Sequence, residues 1–156
     1  MERGKLWRSA FEGDVRLLER NAAGLTEALA ARRPAPGVAS AAWILGHLVN
    51  TRRGILKLLD ASRPEDPAWR QHYGRGTAGE GAHLSWSELM GAFQATDSAL
   101  KEAFAAFQDW DRPTLNPALG VEQPLEEVLA FLFRHEGYHL GQIGLIRKLH
   151  GLSGAI

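Results

Sequence analysis

Four stretches of this chain repeat apolar residues every three or four positions, and Pro or Gly closes each, which restricts it to amphipathic helices packed side by side. The first spans about Lys5 to Ala31, with Trp7, Phe11, Val15, Leu18, Leu25 and Leu29 on one side, ahead of Pro34-Ala35-Pro36-Gly37. The second opens at Ser40, a good N-cap residue, and carries Trp43, Ile44, His47, Leu48, Thr51, Ile55, Leu58 and Leu59 toward Asp60. Residues 61 to 84 form a polar link rich in Gly, Pro, Arg and His, long enough to be read as a functional lid or a loosely ordered connection. Ser85-Trp86-Ser87-Glu88 has the form of a capping box and opens a third helix with Leu89, Phe93, Leu100, Phe104 and Phe107. The fourth starts near Gln123-Pro124, has Glu126 and Glu127 in its first turn, and runs to about Leu149 before Gly151. No β-alternation is legible anywhere. With 156 residues and 45% apolar composition, the chain supports one core, so the expectation is one all-α domain over 1–156, a four-helix bundle.

Eighteen basic and eighteen acidic residues cancel, and no basic stripe is present to track a phosphate backbone, so nucleic acid is not an expected partner. The charged N-terminal residues and the lack of a long apolar run predict a soluble, cytoplasmic protein with no membrane partner. Cysteine is absent, which removes disulfides, thiolate ligands and a cysteine nucleophile together. Any metal here takes nitrogen or oxygen ligands.

Such ligands are present in His135-Glu136-Gly137-Tyr138-His139. Four residues advance a helix by about 400°, so His135 and His139 stand one turn apart on one face. Both fall in the stripe of Leu125, Val128, Leu129, Leu132, Gln142, Ile143, Ile146 and Leu149, and are expected to point inward. Two buried imidazoles are costly without partners, and one cation satisfies both. A catalytic ion normally takes three protein ligands and keeps an open position. His47 is the expected third, since it lies on the apolar side of the second helix. His72 and His83 fall in the polar link, and His150 sits at a helix C-terminus, where an imidazolium facing free carbonyls accounts for it.

The same five residues match H-E-x-x-H, in which the glutamate acts as general base of a zinc protease. The longer version of that motif needs Gly where this chain has Gln142 and His where it has Leu145, and no Asp or Glu follows Glu136 to serve as an acidic ligand. Glu136 lies 100° around the helix from His135, toward the expected edge of the bundle, and is read as a structural or supporting residue. Gln142, one turn after His139, is read either as orienting a ligand or contacting coordinated water, or as a core hydrogen bond.

The segments Trp43-Ile44-Leu45-Gly46-His47-Leu48 and His135-Glu136-Gly137-Tyr138-His139-Leu140-Gly141-Gln142-Ile143, followed by Arg147, resemble the DinB/YfiT-like metalloenzyme family. The resemblance covers nearly the whole chain. It implies an up-down-down-up bundle, a divalent metal held by His47, His135 and His139, and a homodimer. It also implies chemistry of the thiol-dependent S-transferase or isomerase type, with a low-molecular-weight thiol such as bacillithiol, mycothiol or glutathione as cofactor and a small molecule as substrate. That chemistry suits a chain without cysteine, because a thiol that coordinates a cation loses its proton and becomes nucleophilic. Arginines in the link or near the metal would receive the carboxylates of such a cofactor, with His72, Tyr73 and Arg75 as surface-loop candidates. The alternatives are a metal-dependent hydrolase, and a non-catalytic, stress-associated dimeric bundle that binds a small ligand. Zinc, nickel and iron all suit three imidazoles.

Overall fold

In the computed structural model, which describes residues 2–61, 66–77 and 83–154, four long helices carry most of the chain. They are α1 (Glu2–Ala22), α3 (Ala41–Leu58), α5 (Trp86–Ala106) and α6 (Leu125–Leu149), joined by the short helices α2 (Glu27–Ala31) and α4 (Pro67–Tyr73). Two expected helix starts are made by the caps the sequence predicts. Ser40 accepts from the Trp43 amide, and Ser85 and Glu88 form a capping box in both directions.

Three expectations on the fold need correction. The first helix does not run unbroken to Ala31: Gly24 takes a positive φ of 79°, and Thr26 restarts the chain by accepting from Leu29 N. The polar link is not merely a loop. Asp66 caps α4 with Pro67 behind it, and Trp69 and Tyr73 are buried in the apolar core, while residues 62–65 and 78–82 of the link lie outside the described residues. The chain is also not wholly α. Strands β1 (Pro113–Leu115) and β2 (Glu122–Pro124) pair antiparallel with Thr114 opposite Gln123, between α5 and α6. Asn116 closes the connection by accepting from the Ala118 and Leu119 amides.

The apolar residues form two clusters. One joins the C-terminal parts of α1 and α6 to the N-terminal parts of α3 and α5, through Leu18, Leu45, Leu48, Phe93, Leu140 and Ile143. The other joins the opposite ends of the same helices, through Phe11, Ile55, Leu100, Phe104, Val128 and Leu129. Between them lies a charged layer with one residue from each long helix: Asp14, Arg52, Asp97 and Glu136, all buried. Arg52 Nε donates to Glu136 Oε2 at 2.9 Å and Nη2 to Oε1 at 2.5 Å, with both side chains fully enclosed. Its guanidinium lies 3.7 Å from the centroid of the Phe93 ring and 3.8 Å from Asp97 Oδ1.

Among the described residues no helix is long and apolar enough to cross a membrane.

Candidate metal centre

The histidines expected to meet do meet. His47 on α3 and His135 and His139 on α6 bring ligand atoms within 4.8 Å of one another. His135 Nε2 stands 3.2 Å from His47 Nε2 and 3.1 Å from His139 Nε2.

The local sequence around His47 explains its pose. Trp43, one turn earlier, stacks on the imidazole at 5.2 Å with planes 6° apart, and its indole N–H donates to His72 O and Thr77 Oγ1. Gly46 is required next to it, because a Cβ there would lie 2.2 Å from Tyr73 Cδ1. The Tyr73 ring thus lies directly on α3, and its carbonyl accepts from His47 Nδ1 at 2.8 Å. Tyr73 is accordingly a buried positioning residue and not the surface-loop residue the polar composition of the link suggests. His72 and His83 lie ring against ring, 3.2 Å between centroids, and neither joins the three. His150 is not an imidazolium on helix carbonyls: its Nδ1 accepts from Arg32 Nη2 and its Nε2 donates to Arg32 O.

On α6 the inward face is rotated from the expected one. Its buried line runs through Leu132, Glu136 and Leu140, which places Glu136 inside the charged layer and leaves His135 and His139 half-buried beside it. Leu149, expected in the buried stripe, is exposed. Glu136 serves Arg52 and is not at the edge of the bundle; with both its oxygens engaged there, it has no proton-transfer geometry toward the imidazoles. Gln142 is where the spacing put it: its Oε1 accepts from His139 Nδ1 at 2.6 Å, while its Nε2 donates to the Tyr138 hydroxyl at 3.1 Å.

These outer hydrogen bonds fix the tautomers. His47 and His139 hold their protons on Nδ1, so each turns an Nε2 lone pair toward His135. His135 Nε2 carries at most one proton and can satisfy one of the two neighbours, leaving lone pairs opposed at hydrogen-bonding distance on the other side. A cation relieves both contacts at once, and the donor set therefore fits a divalent ion. His135 Nδ1 finds no hydrogen-bonding partner among the described residues. Burial lowers the pKa of all three imidazoles. His135 falls to about 4 because the neighbouring His139 and His47 add to the desolvation. Neutral imidazoles are the form that ligates.

A cavity of about 370 Å³ opens beside the histidines and is lined by His47, His135, Thr51, Gly54 and Phe131 among others. A second, of about 760 Å³, continues over α3 toward α4 and shares Asn50, Gly54, Lys57, Arg75 and Pro117 with the first. The exposed Arg75 borders both. Nothing in the sequence marks Arg52, Asp14 or Asp97 beyond their being charges inside apolar periodicity.

Residues 10–143 match the DinB superfamily. No curated protein matches the chain. Among solved structures, YfiT from Bacillus subtilis aligns with a TM-score of 0.70 at 16% identity, over 98% of this chain and 90% of that one. It is described as "a probable metal-dependent hydrolase with an unusual four-helix bundle topology".

Proposed function

This chain belongs to the DinB superfamily, and on that footing we propose that it is a metal-dependent enzyme whose divalent ion is held by His47, His135 and His139. The observation that carries this reading is the convergence of three Nε2 atoms, two of them locked as lone-pair donors by Tyr73 O and Gln142 Oε1. A divalent ion in such a site supplies Lewis acidity and a lowered pKa for water. The chain's own part is to hold the imidazoles neutral and fixed. Thr51 and Asn50 line the adjoining cavity one turn after His47, where their polar groups can orient a substrate.

Hydrolysis is the reaction we favour, supported by the fold shared with a protein described as "a probable metal-dependent hydrolase". Thiol-dependent transfer is the alternative and would use the same three imidazoles with a thiol brought from outside, since the chain has no cysteine. The reading includes a single bundle domain over 1–156 with the long helices in up-down-down-up order, which the sharing of the two apolar clusters supports. It also includes a small-molecule substrate, a cytoplasmic location and a homodimer. The exposed Tyr138 and Leu145 of α6 offer apolar surface for a second copy, and sedimentation velocity reads that state.

The deciding experiment measures metal by elemental mass spectrometry on protein purified without affinity tag or chelator, beside His47→Ala and His139→Ala. Near-stoichiometric zinc, nickel or iron in the parent and its loss in both variants is the expected result. No metal in the parent, and none taken up on addition, would overturn it in favour of a non-catalytic ligand-binding bundle. An ester and amide panel assayed with and without added thiols then separates the two chemistries: turnover without thiol marks hydrolysis, and turnover only with thiol marks transfer.

A further inference from the structure

Asn50 lies one turn after His47 on α3, where the two cavities meet, and lines both. It is half-buried, and its side-chain amide has no hydrogen-bonding partner among the described residues. That sets it apart. The other Asn and Gln side chains that are not exposed all spend their amides on the protein. Asn21 donates to Leu140 O, Asn116 serves Gln123 and two turn amides, Gln123 also bonds Glu127, and Gln142 holds His139 and the Tyr138 hydroxyl. Nor does the fold ask for an amide at position 50. Asparagine is a poor helix former, and this one stands in the middle of α3, away from the caps where the residue is favoured. Thr51, the neighbouring polar group in the smaller cavity, already donates its hydroxyl proton to His47 O. The space beside Asn50 is kept open. Gly54, one turn further on, borders both cavities, and a Cβ built there meets nothing within 4 Å, whereas a Cβ at Gly46 would strike the Tyr73 ring. A mid-helix glycine that no packing demands weakens the helix and leaves room over it. Leu115, Pro117 and Phe131 supply apolar lining to the same chamber of about 370 Å³ that holds His47 and His135.

We propose that Asn50 recognises a neutral molecule with a cis-amide edge, a lactam, cyclic ureide or primary carboxamide, whose apolar body lies against Leu115, Pro117 and Phe131. A side-chain carboxamide presents one acceptor and one donor side by side in a plane. The edge that completes both at once has a C=O and an N–H on the same side. A cis amide has that edge; a ketone, an ester and an open-chain trans secondary amide do not. An analogue without the N–H leaves the Asn50 carbonyl facing the ligand unpaired, which is how a site of this kind discriminates. Three residues of helix advance about 4.5 Å, so a ring held at Asn50 lies beside the imidazole of His47. An apolar chamber with one placed polar group is the general form of a small-ligand site. The assignment deepens the metal-enzyme reading and rests on it for the reaction that the bound molecule undergoes. Recognition itself needs only Asn50 and the chamber.

The test is calorimetric titration of 4-phenyl-2-pyrrolidinone, and of 3-phenylcyclopentanone, in which a methylene replaces the N–H, into the full chain, both zinc-loaded and chelator-treated. The lactam is expected to bind at least about fivefold tighter than the ketone, although it is the less apolar of the two. Asn50→Leu keeps the branching of the side chain without its hydrogen-bonding groups, and Asn50→Ala removes them with a residue that favours the helix. In both variants the preference for the lactam should vanish, with zinc stoichiometry unchanged. Equal binding of lactam and ketone by the parent, no lactam binding at millimolar concentration, or a preference that survives in Asn50→Ala would overturn the proposal. Zinc stoichiometry on the same samples keeps the two readings apart. Zinc bound without lactam preference removes the Asn50 assignment alone, and lactam preference in a protein that takes up no zinc supports Asn50 while removing the metal centre.

Discussion

Gln142 holds His139 by accepting from Nδ1 at 2.6 Å and is itself held by the Tyr138 hydroxyl. Removing that acceptor leaves His139 free to change tautomer or rotate, and both cost metal affinity, by about 10- to 100-fold for outer partners of this kind. Gln142→Leu is expected to weaken zinc by that factor in a chelator competition with helix content unchanged, and Gln142→Glu to retain most of the affinity. Equal zinc affinity in Gln142→Leu would make Gln142 a spectator. His135 and His139 are legible because i, i+4 spacing on a helix is geometry and needs no tertiary knowledge, and His47 because it interrupts an apolar helix face. Tyr73 was not legible as a positioning residue. It acts through a backbone carbonyl that any residue carries, and its ring is admitted by the absence of a side chain at Gly46. Glu136 lies inside the bundle and not at its expected edge for a related reason. Apolar periodicity centres the helix face on leucines, whereas Arg52 draws the face toward the carboxylate by pairing with it.

At the scale of elements, helix starts were read correctly where a side chain makes the cap, as at Ser40 and Ser85, because the cap is local chemistry. The break at Gly24 is not legible in the sequence, since the apolar pattern on either side of it continues in phase. The hairpin is not legible because strands of three residues, Pro-Thr-Leu and Glu-Gln-Pro, are too short to show alternation. Helix α4 was hidden by its seven-residue length and the polar residues around it. It is nonetheless the element that delivers a carbonyl to His47, anchored by Trp69 and Tyr73, whose rings lie 5.3 Å apart in the apolar cluster. Trp69→Ala should release α4 locally and leave the four long helices in place. Hydrogen exchange is then expected to lose protection by about tenfold or more at residues 70–74 with α1 and α5 unaffected, and zinc affinity to fall alongside. Uniform loss of protection across the chain would show that α4 belongs to the global folding unit and is no separate clamp on the site.

Across the whole molecule, the charged layer between the two apolar clusters decides how the bundle is held in register. Arg52 is its hub, fully buried against the Glu136 carboxylate and the Phe93 ring, and Glu136 directly precedes the helical turn that carries His139. Cutting Arg52 to Met leaves a buried carboxylate unpaired, a defect worth about 3–5 kcal/mol, or roughly 10 °C in Tm at this chain length. Pairing it with Glu136→Met removes the orphan, and most of the loss should return, because an apolar pair of similar volume replaces a buried ion pair at little cost. A double variant no more stable than Arg52→Met alone would show that the hydrogen bonds, and not charge balance, hold the layer. Asp14 gives the layer its pH dependence. Burial first, and the Glu136 charge second, push its carboxyl up to about 7 against the pull of Arg52. The native state therefore keeps a proton that the unfolded chain loses near its ordinary value of 3.8, and stability drains away as pH rises from about 4 to about 7. The depressed imidazoles act in the opposite sense, since they bind fewer protons folded than unfolded and favour the fold as pH rises. Comparing the parent with Asp14→Asn in chelator, where the imidazole contribution is common to both, isolates the carboxyl. The two should melt nearly together at pH 4, and by pH 8 the variant should be ahead by several degrees, each kcal/mol counting for about 2–4 °C. A constant offset across that range would mean that Asp14 is already ionised in the fold and paired with Arg52, which would turn the layer from a proton-sharing cluster into a closed set of ion pairs.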